Sequence, residues 1–284
     1  MCVRVAVLII NYRTYEALDR CLTSLVPFTH ESDEVVVVDW ESDAARRDAI
    51  ASRHPSVRVI ARADNLGFSA GVNLAAAVTT APALLLLNPD TQVEGPIARA
   101  LGGWLEAHPE CGVVGPQVMN EDGTVQPSAR RFPGFTTVFG GRSTWLTRRF
   151  PNNWFSRRNL LQGAGSTHEG READWVAGSC FATRRDVFER LGGLDESFFM
   201  YWEDADYCRR ARALGLRSHY LPTSTVRHSG GLSSAQNVVP SIRAFHRSAF
   251  RLYWKYAGLG RLFAPVVWLG LMARAEVKVA LRGR

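Results

Sequence analysis

The chain has 284 residues, 46% hydrophobic and 21% charged, with a formal charge of +7. This length fits one large domain, or one domain with an appendage, and the apolar content excludes general disorder. Residues 1–123 carry nine basic and sixteen acidic side chains, 124–168 seven Arg and no acid, 169–240 nine basic and ten acidic, and 241–284 nine basic and one acidic, so the chain is an acidic body with two basic blocks rather than a uniformly basic nucleic-acid binder.

Through the first 120 residues, short apolar runs alternate with helical patterns. VRVAVLII at 3–10 predicts a buried strand, YEALDRCLTSL at 15–25 a helix, EVVVVD at 34–39 and SVRVIAR at 56–62 two more strands. GFSAGVNLAAAV at 67–78 predicts a small-residue helix, ALLLLN at 83–88 a fourth strand, IARALGGWLEAH at 97–108 a helix and CGVVGPQV at 111–118 a fifth strand. Continuous apolar strands separated by helices imply an α/β fold with a mostly parallel sheet covered on both faces. Five cysteines without close metal-type spacing read as buried thiols in a reducing compartment. The first strand runs straight into Asn11 and Tyr12, unlike a signal peptide. The longest apolar stretch, 262–273, is 12 residues and contains Pro265, against about 20 residues for a membrane span.

Sheets of this class bind ligands beyond the carboxyl ends of their strands. Three strands here end in polar residues: Asn11 with Tyr12, Asp39 with Glu41 and Ser42, and Asn88 with Asp90. The place suits a nucleotide, yet neither G-x-G-x-x-G nor G-x-x-x-x-G-K-[ST] occurs, so a diphosphate would have to be met otherwise, and a divalent metal such as Mg2+ or Mn2+ is the obvious candidate. Taken alone, Asn88-Pro89-Asp90 also reads as a turn.

The runs VAVLIINY, VVVVD at 35–39, NLGFSAGVN at 65–73, LLLLNPDT at 84–91, DWVAGSCFATRR at 174–185 and FFMYWEDADYCRR at 198–210 together resemble the family 2 glycosyltransferases, in the family's order and spacing from residue 3 to about 233. NLGF with Asn73, the Asn-Pro-Asp and DGTVQPSARRFP at 122–133 are similar to the bacterial rhamnosyltransferase-like branch. The resemblance implies a GT-A-type fold and metal-dependent, inverting transfer of a sugar from a nucleoside diphosphate, with rhamnose from dTDP-rhamnose as the first expectation and a UDP-sugar (galactose or N-acetylglucosamine) as the second. A non-catalytic glycan- or membrane-binding relative is the reading from another class.

The same resemblance assigns roles to residues. Asp90 and His228 would hold the metal. Asp204 would be the general base and Glu203 would orient the acceptor or the base, while Asp206 reads as a structural partner of Arg210 four residues on. Asn11 and Tyr12 would flank the base, Asp39 would hydrogen-bond it, and Asn65, Gly67, Phe68, Asn73 and Asn88 would shape the rest of the donor site. Trp40 and Glu41 depart from the Asn and Gly/Ala that the family usually places after this Asp, which bears on nucleotide preference. Gly178 and Trp175 would lie beneath the acceptor, Trp175 being equally open to a core role. Arg130 and Arg131 open an Arg- and aromatic-rich segment that would meet an anionic acceptor such as a polyprenyl-diphosphate-linked sugar; the pattern would also suit single-stranded nucleic acid, but no nucleic-acid motif accompanies it.

Residues 1–240 thus read as the catalytic domain, with a nucleotide-sugar half (1–120) and an acceptor half (121–240), and 241–284 as a basic helical appendage. SIRAFHRSAFRLYWKYAG at 241–258 places Ile242, Phe245, Ala249, Leu252 and Tyr256 near one face and Arg243, Arg247, Arg251 and Lys255 on another. Such a helix without a span reads as lying on the anionic inner face of a cell membrane, from the cytoplasm. Packing against the catalytic domain or a homodimer partner is the alternative.

Overall fold

Alternate residues of the buried strands feed two different cores, and this sets the layers. In strand β1 (Val5–Tyr12), Val5, Val7 and Ile9 point to one side of the sheet, and Ala6, Leu8 and Ile10 to the other. Strands β2 (Glu34–Trp40) and β4 (Ala83–Leu87) divide in the same way. The first side packs against helices α1 (Tyr15–Leu25) and α4 (Ile97–Ala107). The second packs against α3 (Phe68–Ala77) and α6 (Glu203–Ala213). Leu84 to Leu87 are fully buried, and each leucine contributes roughly 1.5–3 kcal/mol of hydrophobic stabilisation.

The computed structural model describes residues 3–133, 170–230 and 238–281. Among these, the main sheet has ten strands, with the central order β3-β2-β1-β4-β11-β6-β12-β5. Here β3 is Val57–Arg62, β5 Thr91–Val93, β6 Cys111–Met119, β11 Cys180–Arg184 and β12 Arg217–His228. Short strands β7 (Val125–Gln126) and β9 (Arg171–Ala173) pair with β6 and β12, while β8 (Ala129–Arg130) and β10 (Trp175–Val176) form a separate two-stranded sheet. Strands β1 to β4 are parallel, and the chain order reverses where β1 lies between β2 and β4. A crevice opens at such a reversal, which places the ends of β1 and β4 at the ligand site.

The sheet is more mixed than the apolar runs imply. β11 enters antiparallel between β4 and β6, and β12 is parallel to β6 but antiparallel to β5. The sequence CFATR lacks a long apolar run, and β12 is polar, contains Pro222 and shifts register between Leu221 and Thr225. Helix α2 (Ala44–Arg53) is also absent from the periodicity reading, because Ile50 is its one buried residue and an N-cap bond from the Arg46 amide to Asp43 starts it. Helix α5 (Arg185–Arg190) follows β11 directly.

Helices α7 (Val238–Tyr256) and α8 (Ala264–Ala280) form the C-terminal part. They join through the Arg243–Glu276 ion pair at 3.0 Å and the Phe250–Trp268 edge contact at 4.9 Å. The face of α7 toward the rest of the chain includes Ser248, Leu252, Lys255 and Tyr256. Lys255 therefore leaves the basic face expected from the sequence and makes ion pairs with Asp195 and Asp206. Leu259, Leu262, Phe263, Val266 and Leu269 are strongly exposed, Leu262 at 81%. No helix among the described residues is long and apolar enough to cross a membrane. The Arg-rich expectation at 134–168, with Trp145, Phe150, Trp154 and Phe155, lies outside the described residues.

Candidate active site

At the end of β1 and β2 the register pairs Asn11 with Asp39. The Asn11 amide donates to Asp39 Oδ1 at 2.7 Å, and its oxygen accepts from the Thr14 hydroxyl at 2.8 Å. Tyr15 and Ser42 donate to Asp39 Oδ2. Asp39 is 1% exposed, so both residues form the floor of the crevice through protein partners. The rim consists of Tyr12, Arg13 and Glu41: the Tyr12 hydroxyl donates to Glu41 Oε2 at 3.3 Å and Arg13 at 2.6 Å. Arg13 and Glu41 both have left-handed backbones, φ 58° and 49°, which cost side-chain-bearing residues energy and recur at functional sites. Trp40 points away from this rim into the core and donates to the Gly67 carbonyl at 3.2 Å.

The segment NLGFSAGVN fastens the donor side to the segment preceding α6. Asn65 accepts from the Gly67 amide, bracing its own turn. Gly67 has φ 94°, and a Cβ there would lie 2.4 Å from the Phe199 carbonyl oxygen. The Phe68 amide donates to that same oxygen at 2.7 Å, and the Ser69 hydroxyl donates to the Phe198 carbonyl. Asn73 donates to the Leu194 carbonyl and to Glu196, and accepts from the Leu194 amide, each at 2.9 Å. Asn65 thus spends its side chain on its own turn, and Asn73 spends its side chain on holding 194–196.

Beyond β4, Asp90 and His228 come together from residues 138 apart in sequence. His228 pairs with Thr91 across β12 and β5, and its Nε2 lies 3.1 Å from Asp90 Oδ1 and 3.5 Å from the Asn88 amide nitrogen. The other ring nitrogen faces Gln126 Oε1 at 3.2 Å, and Gln126 donates back to the His228 carbonyl at 2.8 Å. A carboxylate beside an imidazole oriented through its second nitrogen is a donor set that fits Mn2+ or Mg2+, with phosphate oxygens completing the shell. No group of three or more His, Cys, Asp or Glu suited to a metal occurs among the described residues.

Asp204 and Glu203 start α6. The Gly178 amide donates to Asp204 Oδ2 at 2.8 Å, and the Ala205 amide to Oδ1 at 2.8 Å. Burial pushes the Asp204 carboxyl up; these two amides and the charge of Arg130 pull the other way. Glu203 is 6% exposed with Oε2 unpartnered, and burial, reinforced by Asp204 and Asp206, raises its carboxyl well above the usual range. Asp206 binds Arg210 at 2.8 Å, as its spacing predicts. The backbone leading into these acids is strained: Tyr201 and Trp202 have φ 68° and 71°.

Gly178 and Ser179 join the two clusters. The Gly178 amide holds Asp204, while the Ser179 carbonyl accepts from the Asn88 amide at 2.9 Å. The QPSARR segment also serves both, with Gln126 at His228 and the Arg130 charge acting on Asp204. Trp175 is packed rather than open: its indole N–H donates to the Arg131 carbonyl at 2.9 Å, and the Arg130 guanidinium lies 4.9 Å over its ring. The Arg131 side chain is exposed. Residue-by-residue reading missed Gln126, Tyr15 and Ser179, whereas Ser42 was already marked by its place at the end of the second strand. The only signal for Gln126 was its place in VQPSARR.

A family model described as "Glycosyltransferase like family 2" matches residues 3–244. A curated relative from Mycobacterium tuberculosis, N-acetylglucosaminyl-diphospho-decaprenol L-rhamnosyltransferase, is 30% identical over 97% of this chain and 94% of its own. Rhamnosyltransferase WbbL of Escherichia coli K12 is 34% identical, over 32% of this chain and 31% of its own. Among solved structures, the mannosyltransferase PcManGT of Pyrobaculum calidifontis, in complex with GDP-Man and Mn2+, aligns with TM-score 0.61 at 19% identity, covering 100% of this chain and 77% of the other. GalNAc-T7 with UDP, GalNAc and Mn2+ aligns with TM-score 0.59 at 18% identity, covering 80% and 44%. The fold is GT-A.

Proposed function

The chain belongs to the family 2 glycosyltransferases, and from that premise we propose that it transfers rhamnose from dTDP-rhamnose, with inversion, to a polyprenyl-diphosphate-linked or cell-envelope glycan acceptor. The observation that carries the reading is the Gly178–Ser179 link: the Gly178 amide holds Asp204, and the Ser179 carbonyl accepts from the backbone amide of Asn88, two residues before Asp90, whose carboxylate meets His228. The rhamnosyltransferase relative, matched almost end to end, supports the donor and the lipid-linked acceptor.

In this mechanism Asp204 takes the proton from the acceptor hydroxyl as that oxygen attacks the anomeric carbon from the side opposite the departing diphosphate. A single displacement inverts the centre and needs no enzyme nucleophile. The Gly178 and Ala205 amides orient Asp204, one on each carboxylate oxygen. Glu203, whose carboxyl is raised by burial and by the neighbouring Asp204, stands beside the base with Oε2 unpartnered and would orient the acceptor. Asp90 and His228 would hold a divalent cation, which would supply Lewis-acid stabilisation of the leaving diphosphate. Tyr12 and the Arg13–Glu41 rim border the nucleotide.

Donor turnover across a panel, with and without Mn2+ or Mg2+, tests this proposal, together with Asp204→Asn. We expect dTDP-rhamnose to be used, activity to require the metal, and Asp204→Asn to lose roughly 10²–10⁴-fold in rate. Turnover of a UDP-sugar instead would replace the donor, and full activity in Asp204→Asn would remove the base.

The second part of the proposal concerns location. The apolar residues Leu259, Leu262, Phe263, Val266 and Leu269, set in a segment with nine basic residues and one acid, suit the inner surface of an anionic membrane from the cytoplasmic side. Leu262→Asp with Phe263→Asp should abolish co-sedimentation with vesicles containing phosphatidylglycerol. Unchanged sedimentation would refute the membrane reading, and a concentration-dependent dimer lost in the same variant would assign this face to a second copy.

A further inference from the structure

The start of α6 lacks the usual means of holding a helix end. Its N-cap is Trp202, which makes no side-chain capping bond, and the two residues before Glu203 are left-handed without being glycine. Such residues cost on the order of 1–3 kcal/mol each and persist only where surroundings enforce them. One enforcing surface is α3, through the bonds to 194–199.

The other surface is α7, and its contacts converge on 195–206. The Ser248 hydroxyl donates to the Met200 carbonyl at 2.9 Å. The Phe245 ring lies 5.6 Å from Tyr201 and 5.3 Å from Trp202, covering the strained pair. Lys255 Nζ is 2.7 Å from Asp195 and 2.7 Å from Asp206 Oδ1, and the Tyr256 hydroxyl donates to the same Asp206 oxygen at 2.7 Å. Asp206 is 0% exposed and sits two residues from Asp204 on the first turn of α6, so moving its carboxylate moves the turn. Its second oxygen is taken by Arg210 within the helix, leaving Tyr256 and Lys255 as the fastening to α7.

We propose that Tyr256 and Lys255 are positioning residues for catalysis: through Asp206 they fix the first turn of α6 and thereby the aim of Asp204. The inference rests on the reading of Asp204 as the base. It makes α7 a wall of the catalytic centre as well as a link to α8. Neither residue need touch donor or acceptor.

The test uses the full chain with Tyr256→Phe, Lys255→Met and Lys255→Arg, measuring kcat, donor KM and thermal midpoint, with Asp204→Asn alongside. Tyr256→Phe and Lys255→Met should lower kcat roughly 10- to 100-fold, as expected for a misaimed catalytic group, while donor KM stays level. Lys255→Arg, which keeps the charge, should restore most of the rate. A lowered thermal midpoint with kcat per folded molecule unchanged would overturn the proposal in favour of a purely structural bond, and so would equal rates in Lys255→Arg and Lys255→Met. If Asp204→Asn is fully active, the base assignment fails. If Asp204→Asn is inactive while both α7 variants keep the wild-type rate, the positioning role alone fails.

Discussion

Asn73→Ala separates two roles for one residue. As a donor contact, Asn73 would affect sugar-nucleotide KM and little else. As placed, it makes three hydrogen bonds to 194–196, two of them to the Leu194 backbone. Each such bond contributes about 0.5–1.5 kcal/mol net, and the two bonds to the partly buried Leu194 backbone leave groups behind that need new partners. The exposed bond to Glu196 adds the least. The total is about 2–3 kcal/mol, which for a chain of this size lowers the thermal midpoint by roughly 3–5 °C. Denaturant unfolding should show the same loss at unchanged slope. Because the freed segment leads into Asp204, kcat should also fall while donor KM holds. Asn73→Asp is the informative control: it keeps the acceptor for the Leu194 amide but sets a carboxylate against Glu196 and the Leu194 carbonyl, so it should destabilise more than alanine. A raised donor KM with a wild-type thermal midpoint would refute the clamp and return Asn73 to the donor site.

Three other outcomes follow from the site. Arg130→Gln removes a charge that favours ionised Asp204, so the acidic limb of kcat/KM should move to higher pH; an unmoved limb would mean that Arg130 does not face the base. Glu203 is raised in the folded state, so below the unfolded carboxyl value it costs nothing, and stability falls as pH rises above about 4.3 toward the raised folded value. Glu203→Gln should therefore show a less negative dependence of stability on pH in the range just above the unfolded carboxyl value, measured by denaturant unfolding, and an unchanged slope would contradict a raised Glu203. Gln126→Leu frees the second nitrogen of His228, and the Mn2+ concentration for half-maximal activity should rise roughly 10- to 100-fold, a change absent if His228 does not hold the metal.

The strands whose both faces are apolar could be read from sequence alone, since burial in two cores leaves a continuous run such as VAVLII or ALLLL. β11 and β12 could not, because their places depend on partners: CFATR is a strand by lying between β4 and β6, and RSHYLPTSTVRH is one beside β6 despite its proline. The site divides similarly. Asp90 with His228, and Asp204 with Gly178, were legible as motif residues and come together in space. What no motif discloses is where a polar side chain spends its hydrogen bonds. Asp39 looks available at a strand end, yet Asn11, Tyr15 and Ser42 claim both of its oxygens. Lys255 falls on a basic helical stripe, and only the packing of α7 turns it toward Asp206.

The insertion of β11 between β4 and β6 has a consequence for how the chain is made. During synthesis β1 to β4 and β6 emerge first, and β4 exposes a bare hydrogen-bonding edge of leucines until residues 180–184 arrive almost a hundred positions later. Such an edge is a template for pairing with another nascent chain. Residues 1–120 are thus a poor candidate for independent folding or for exchange between relatives, because a cut there removes the strand that closes this part of the sheet.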